Sequence, residues 1–179
     1  ITGTTFDYGP YGFMDIFNPR YTPNLSDTQS RYAYQKQPEI GFWNLNKFAE
    51  TLVPLVGADQ LQEEIKQYQP TFNDFYKKEM GAKLGLSILD PDFNQLTQEM
   101  FLLLQKHQLD YSNFFRRLAS YPDKLEKTHF VQGFHSWLEK YTKLCDREGI
   151  KNDERKRKMD AINPKFILRT HLVHQALNK

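Results

Sequence analysis

Four consecutive residues near the start of this 179-residue sequence, Phe6-Asp7-Tyr8-Gly9, combine types that suit metal chemistry. Thr4-Thr5-Phe6 is a short β-prone run, and a carboxylate closes it before an aromatic residue and a glycine. Hard divalent cations take oxygen ligands, and aspartate presents two on a short, easily positioned stem. Glycine then permits the backbone turn. Asp-x-Gly is also an everyday turn, here followed by Pro10, and in isolation these residues read as a turn first.

Other groups are less specific. Asn24-Leu25-Ser26-Asp27-Thr28-Gln29-Ser30-Arg31-Tyr32 concentrates hydrogen-bonding side chains that suit a binding site or a peptide contact. Its simpler reading has Ser26 or Asp27 capping a turn and Arg31 paired with a carboxylate. His171 and His174 stand three apart on a predicted helix, but no third ligand lies at a diagnostic spacing, and His129 and His135 are isolated. Surface or partly buried histidines fit better. Cys145 reads as a packed thiol. Lys151 to Lys158 is interrupted by Asp153 and Glu154 and reads as a solvated helix face with intrahelical pairs. There is no Gly-x-x-x-x-Gly-Lys loop, no Gly-x-Gly-x-x-Gly, no Gly-x-Ser-x-Gly and no His-Glu-x-x-His. On these residues alone the chain lacks a complete active site.

The composition narrows the class. Lys plus Arg is 24 against Asp plus Glu 22, so a dedicated nucleic-acid binder, which needs a basic excess, is not expected. No apolar run reaches the roughly 18 residues of a membrane span. One cysteine forbids an internal disulfide and suits a reducing compartment. Twenty-four Phe and Tyr residues argue for a packed core rather than disorder.

The elements that must position these residues are mostly helical. Through residue 40 Gly, Pro and Asn recur too often for a long helix, and an ordered aromatic-lined loop with at most a helical turn is expected. Beyond Gly41 the apolar period turns helical. Phe42, Leu45, Phe48 and Leu52 form one stripe, kinked or ended by Pro54. Leu61, Ile65 and Tyr68 form the next, interrupted by Pro70; Phe72, Phe75, Tyr76 and Met80 continue toward Gly81 and Gly85. Asp90-Pro91 introduces the stripe Phe93, Leu96, Met100, Leu104, and Asp110 caps a short helix carrying Phe114, Phe115 and Leu118. Trp137, Tyr141 and Leu144 face one way before Gly149, and Asn163-Pro164 is expected to start a last helix. A mainly α chain with a short β-turn opening follows, one domain overall, with residues 1–40 as the turn and loop and 41–179 as the helical body.

Read as one string, Phe6-Asp7-Tyr8-Gly9-Pro10-Tyr11-Gly12-Phe13-Met14-Asp15 resembles the selenoprotein O / YdiU family. The likeness continues through Ser26-Asp27-Thr28-Gln29, Arg31-Tyr32-Ala33-Tyr34, Gln37-Pro38 and Trp43-Asn44-Leu45. It resumes at Lys83-Leu84-Gly85-Leu86, Asp110-Tyr111-Ser112-Asn113-Phe114-Phe115-Arg116 and Asn163-Pro164-Lys165-Phe166-Ile167-Leu168-Arg169. The resemblance implies the helical C-terminal lobe of a protein-kinase-like fold. It implies transfer of AMP from ATP, bound flipped relative to ordinary kinases, to Ser, Thr or Tyr hydroxyls of proteins. UMP transfer is a variant ascribed to the group.

Asp7 matches the family's Asp-Phe-Gly-type aspartate, which implies a ligand to Mg²⁺ or Mn²⁺ and a contact with ATP. The family's catalytic-base Asp and the metal-binding Asn beside it are expected upstream of Ile1, and its phosphate-contacting Gly, Lys and Arg farther upstream. Its redox-active Cys or selenocysteine is expected beyond Lys179, with no match in Cys145, and Leu25 stands where the family pattern has His. The chain therefore reads as a piece of a longer enzyme, inactive by itself, from a bacterial cytoplasm or, in a eukaryote, a mitochondrion. The rival reading is a helical protein-interaction module with no nucleotide chemistry, in which Asp7 is a turn residue.

Overall fold

Helix α1 (Gln37–Val56) begins before the apolar stripe does, because Pro38 in its first turn has a fixed φ suited to helix and no N–H left unpaired. Pro54 does not end it at once. It sits in the last turn, and α1 runs two residues further to stop at Gly57, whose φ of 93° leaves helical space. In this computed structural model the described residues are 12, 14–24, 26–121 and 132–178, so the β-prone run Thr4–Phe6 lies outside them. Among the described residues there is no strand, only an isolated antiparallel bridge between Ile16 and Asp110.

The chain divides into two compact units, with the boundary inside α3 (Tyr68–Leu84), between Tyr76 and Lys77. The first unit holds residues 19–76: a single 3₁₀ turn (Tyr34–Lys36), α1, α2 (Ala58–Lys66) and the start of α3. Pro70 falls in the first turn of α3, and the helical break lies before it, at Gln67. Among the described residues of this unit only Ala33 and Ala49 are buried apolar side chains. Its packing rests on rings: Phe42 and Tyr68 centroids are 5.6 Å apart, followed by Tyr68–Phe72 at 6.0 Å and Phe72–Tyr76 at 5.9 Å. The Tyr68 hydroxyl donates to the Pro38 carbonyl at 2.9 Å across Gly41, where a Cβ would come within 2.4 Å of that oxygen.

The second unit, residues 12–18 and 77–179, carries the large buried side chains. Asp90 accepts from the Phe93 amide at 3.1 Å to start α4 (Pro91–Lys106), and Asp110 accepts from Asn113 at 2.7 Å to start α5 (Tyr111–Leu118). Both caps fall where the sequence puts them. Phe93, Leu96, Met100 and Leu104 form the buried face of α4, which packs on α6 (His135–Glu148). Trp137 of α6 donates its ring N–H to the Leu96 carbonyl at 2.8 Å and stacks on Tyr141, centroids 5.3 Å apart. Gly149, at φ 65°, closes α6 in the left-handed conformation.

Helix α7 (Asn152–Ile162) packs on α5, and α8 (Thr170–Leu177) ends the described chain. Asn163-Pro164 does not start the last helix. Asn163 closes α7: its amide and its side-chain Nδ2 both donate to the Met159 carbonyl, at 2.8 and 3.0 Å. The six residues that follow are non-helical and carry Arg169 to the start of α8.

Candidate functional site

Asp7 lies outside the described residues, as do Phe6, Tyr8, Gly9 and Leu25. The segment eight residues past Asp7 is described, and it is held from several sides. The Ile16–Asp110 bridge brings the Phe17 amide to the Leu109 carbonyl at 2.8 Å and the Tyr111 amide to the Asp15 carbonyl at 2.8 Å. The Phe17 ring is buried and stacks on Phe101 and Tyr111, at 5.1 and 5.7 Å. Arg169 spans the two chain segments, with Nη1 at 2.5 Å from Asp15 Oδ1 and 2.7 Å from Asp110 Oδ2.

These charges are matched rather than spare. Asp110 divides its oxygens, Oδ1 capping α5 and Oδ2 on the guanidinium. The hydrogen bond to Asp110, with the nearby charge of Asp15, holds the Arg169 guanidinium more firmly protonated than usual. A cation thus already sits between the two carboxylates. Among the described residues no group of three His, Cys, Asp or Glu side chains is placed to hold an ion.

A second network joins three further segments. Asn163, 1% exposed, donates through Nδ2 to the Lys83 carbonyl at 2.9 Å, and its Oδ1 accepts from Lys83 Nζ at 3.2 Å. Arg116 Nη1 donates to the carbonyls of Asp160 and Asn163, both at 3.1 Å, and lies 2.9 Å from Asp160 Oδ1. Lys83 also stands over the Phe115 ring, 4.9 Å from its centroid, and burial lowers the pKa of its ammonium. Side chains from α3, α5, α7 and the segment after it are thereby tied at one point.

Of the polar cluster, residues 26–32 form a turn. Asp27 accepts from the Arg31 and Tyr32 amides at 2.9 and 2.8 Å, and the latter bond leads in holding its carboxyl below the usual range. Among the described residues Arg31 pairs with no carboxylate, and it lies over the Trp43 ring, 4.4 Å from its centroid. His171 and His174 are exposed on α8, His135 is exposed, and His129 lies outside the described residues. Cys145 is partly buried on α6, and burial pushes its thiol up. The Lys151–Lys158 run pairs as expected at Glu154–Lys158, 2.9 Å, with one exception. Arg155 is 2% exposed, not solvated.

Arg155 is the residue that sequence reasoning missed. It hides in a basic run, and its only sign is Met159 one turn on, which places one face of α7 inward. Its guanidinium donates to the Tyr141 hydroxyl at 2.7 Å and to the Tyr121 carbonyl. Gly85, at φ 69°, makes room for it: a Cβ there would lie 2.7 Å from Arg155 Cγ.

Over residues 1–179, the whole length, the sequence matches the family described as protein adenylyltransferase SelO. The chain belongs to the SelO family. Curated relatives agree: it is 40% identical over 185 residues to the protein nucleotidyltransferase YdiU of Aliivibrio fischeri (strain ATCC 700601 / ES114), covering 100% of this chain and 38% of the relative. The protein of that name from Vibrio atlanticus (strain LGP32) is 38% identical, with the same coverage. The one from Pseudomonas fluorescens (strain SBW25) is 36% identical over 99% of this chain and 38% of its own length. The chain thus spans well under half the length of these relatives. In this SelO-family chain the motif residues that are far apart in sequence meet in pairs. Asp15 and Asp110 meet at Arg169, and Lys83 and Arg116 meet at Asn163 and its carbonyl.

Proposed function

We propose that this chain is the helical C-terminal lobe of a kinase-like protein adenylyltransferase. Its full-length protein would transfer AMP from ATP to Ser, Thr or Tyr hydroxyls of other proteins. Residues 1–40 carry the metal aspartate and an activation-segment-like loop, and 41–179 the helical lobe. What supports the reading is the family match along the whole chain, together with the resemblance of Phe6-Asp7-Tyr8-Gly9 to the family's metal-aspartate motif.

In this reaction a substrate hydroxyl oxygen forms a bond to the α-phosphorus of ATP, and the bond from that phosphorus to the oxygen bridging the β-phosphate breaks, releasing pyrophosphate. The hydroxyl proton leaves to a base, which this reading places on the segment upstream of Ile1. Asp7 offers the hard oxygen donors that Mg²⁺ or Mn²⁺ takes. Such a cation, when bound, offsets charge on the nucleotide phosphates. The contribution of the described residues is to hold the chain at Asp15 to Phe17, through Arg169 and the Ile16–Asp110 bridge. A bacterial cytoplasm, which supplies ATP and Mg²⁺, is the setting we propose.

Calorimetry of ATP with the full-length protein tests this. Binding is expected only with Mg²⁺ or Mn²⁺ present, and is expected to weaken strongly in Asp7→Asn. A helical interaction module, for which the exposed rings of Phe48 and Phe75 in the first unit are the relevant surface, gives no metal-dependent nucleotide signal. That outcome would overturn the proposal.

A further inference from the structure

Helix α8 has an apolar face that is left open. Leu172, Val173, Ala176 and Leu177 recur at i, i+1, i+4 and i+5 and share one side, with His171, His174 and Gln175 on the other. No described side chain of α8 is buried: Leu172 is 49% exposed and Leu177 76%. The non-helical segment before it adds Phe166 at 82% and Leu168 at 54%. The apolar face of α4, by contrast, is at most 1% exposed at Phe93, Leu96, Met100 and Leu104.

An eight-residue helix does not hold itself in water, since isolated helices shorter than about 12 residues are marginal. The ion pairs of Arg169 with Asp15 and Asp110 fix where α8 starts, but no described residue after Arg169 is buried. The charge is one-sided as well. Residues 164–179 hold Lys165, Arg169, His171, His174 and Lys179, and no Asp or Glu. Arg169 is already paired, whereas Lys165 takes no carboxylate among the described residues and lies over the Phe166 ring, 5.3 Å from its centroid. The surface that fits this face is apolar at its centre and acidic at its margin.

The chain spans 38% of the length of the YdiU proteins of Aliivibrio fischeri and Vibrio atlanticus, so more than half of each relative has no counterpart in it. We propose that α8, with Phe166 and Leu168, docks within one polypeptide on an apolar segment with acidic margins that lies outside residues 1–179 of the full-length protein. A second copy fits less well. Paired face to face through α8, two copies would bring the same basic residues together, and like charges oppose such a contact. A segment of the same polypeptide also needs no second molecule, because its tether supplies the effective concentration. The inference rests on the family match and is independent of the nucleotide reading.

Two measurements on the purified full-length protein test this. Hydrogen exchange at the α8 amides is expected to be slowed about a hundredfold or more against an unstructured chain, equally at low and high protein concentration. A carbodiimide, which joins lysine amines to carboxylates, is expected to link Lys165 or Lys179 to Asp or Glu residues outside 1–179 within the monomer. In Leu172→Asp the α8 protection is expected to fall about tenfold or more, while the amides of α4 keep theirs. The α4 amides report whether that variant is folded, and the wild-type measurements stand without it. Unprotected α8 amides in the wild type, protection that grows with protein concentration, or no link reaching outside residues 1–179 within one copy would each overturn the proposal. So would full α8 protection in Leu172→Asp.

Discussion

Arg169 Nη1 lies 2.7 Å from Asp110 Oδ2, so that the residue capping α5 also anchors the non-helical segment that leads into α8. The same nitrogen lies 2.5 Å from Asp15. Arg169 is only 20% accessible as a side chain, which places this pairing between an exposed ion pair of little worth and a buried one whose rupture is costly.

Removal of that guanidinium leaves two carboxylates facing each other. Arg169→Met is expected to lower unfolding free energy by about 2 kcal/mol, between the exposed and buried limits. Asp110→Asn keeps the capping oxygen, and the double variant is expected to lose less than the two singles together, by about 1 kcal/mol. Urea unfolding of the four proteins measures this. Strict additivity would show that the contact carries no energy.

Gly85 and Gly149 have nearly the same backbone, at φ 69° and 65°, but different surroundings. A Cβ at Gly149 meets nothing within 4 Å, whereas at Gly85 it overlaps Arg155 and Met159. Gly149→Ala is expected to cost about 1 kcal/mol, the left-handed penalty alone. Gly85→Ala is expected to cost about 2–4 kcal/mol, because overpacking adds to that penalty. Equal losses would mean that α7 can shift away freely.

Much of this was legible beforehand. Asp90, Asp110 and Gly149 act locally, through their own turns, so short spacings announced them. Asn163-Pro164 was misread for the same reason: locally it looks like a helix start, while its actual partners, Lys83 and Met159, include one 80 residues away. Pro54 marks the end of α1 only to within a turn, because a last-turn proline is tolerated and the helix runs two residues past it. Arg155 was invisible because a charged run reads as solvated, and only tertiary packing draws one member inward. Of the candidate site, Asp7, singled out by its motif, lies outside the described residues, and the clamp at Asp15 is what the structure adds.

The cap of α4 has a pH signature. The Phe93 amide, and then Arg147, hold the Asp90 carboxyl below the usual carboxylate range. A depressed folded-state value stabilises the fold above the unfolded value of about 3.9, and that contribution is lost as pH falls through the folded value. Asp90→Asn keeps a capping oxygen but cannot titrate. Its urea midpoint is therefore expected to fall less steeply than wild type's as pH drops below about 4. Parallel acid limbs would remove Asp90 from the account.

Adenylyl transfer is tested most directly by which phosphate of ATP reaches protein. With the full-length protein, Mg²⁺ and protein acceptors, label on the α-phosphate is expected to enter protein, label on the γ-phosphate is not, and Asp7→Ala is expected to reduce the α signal to background. Transfer of the γ label instead, or an Asp7→Ala rate equal to wild type, would contradict the account.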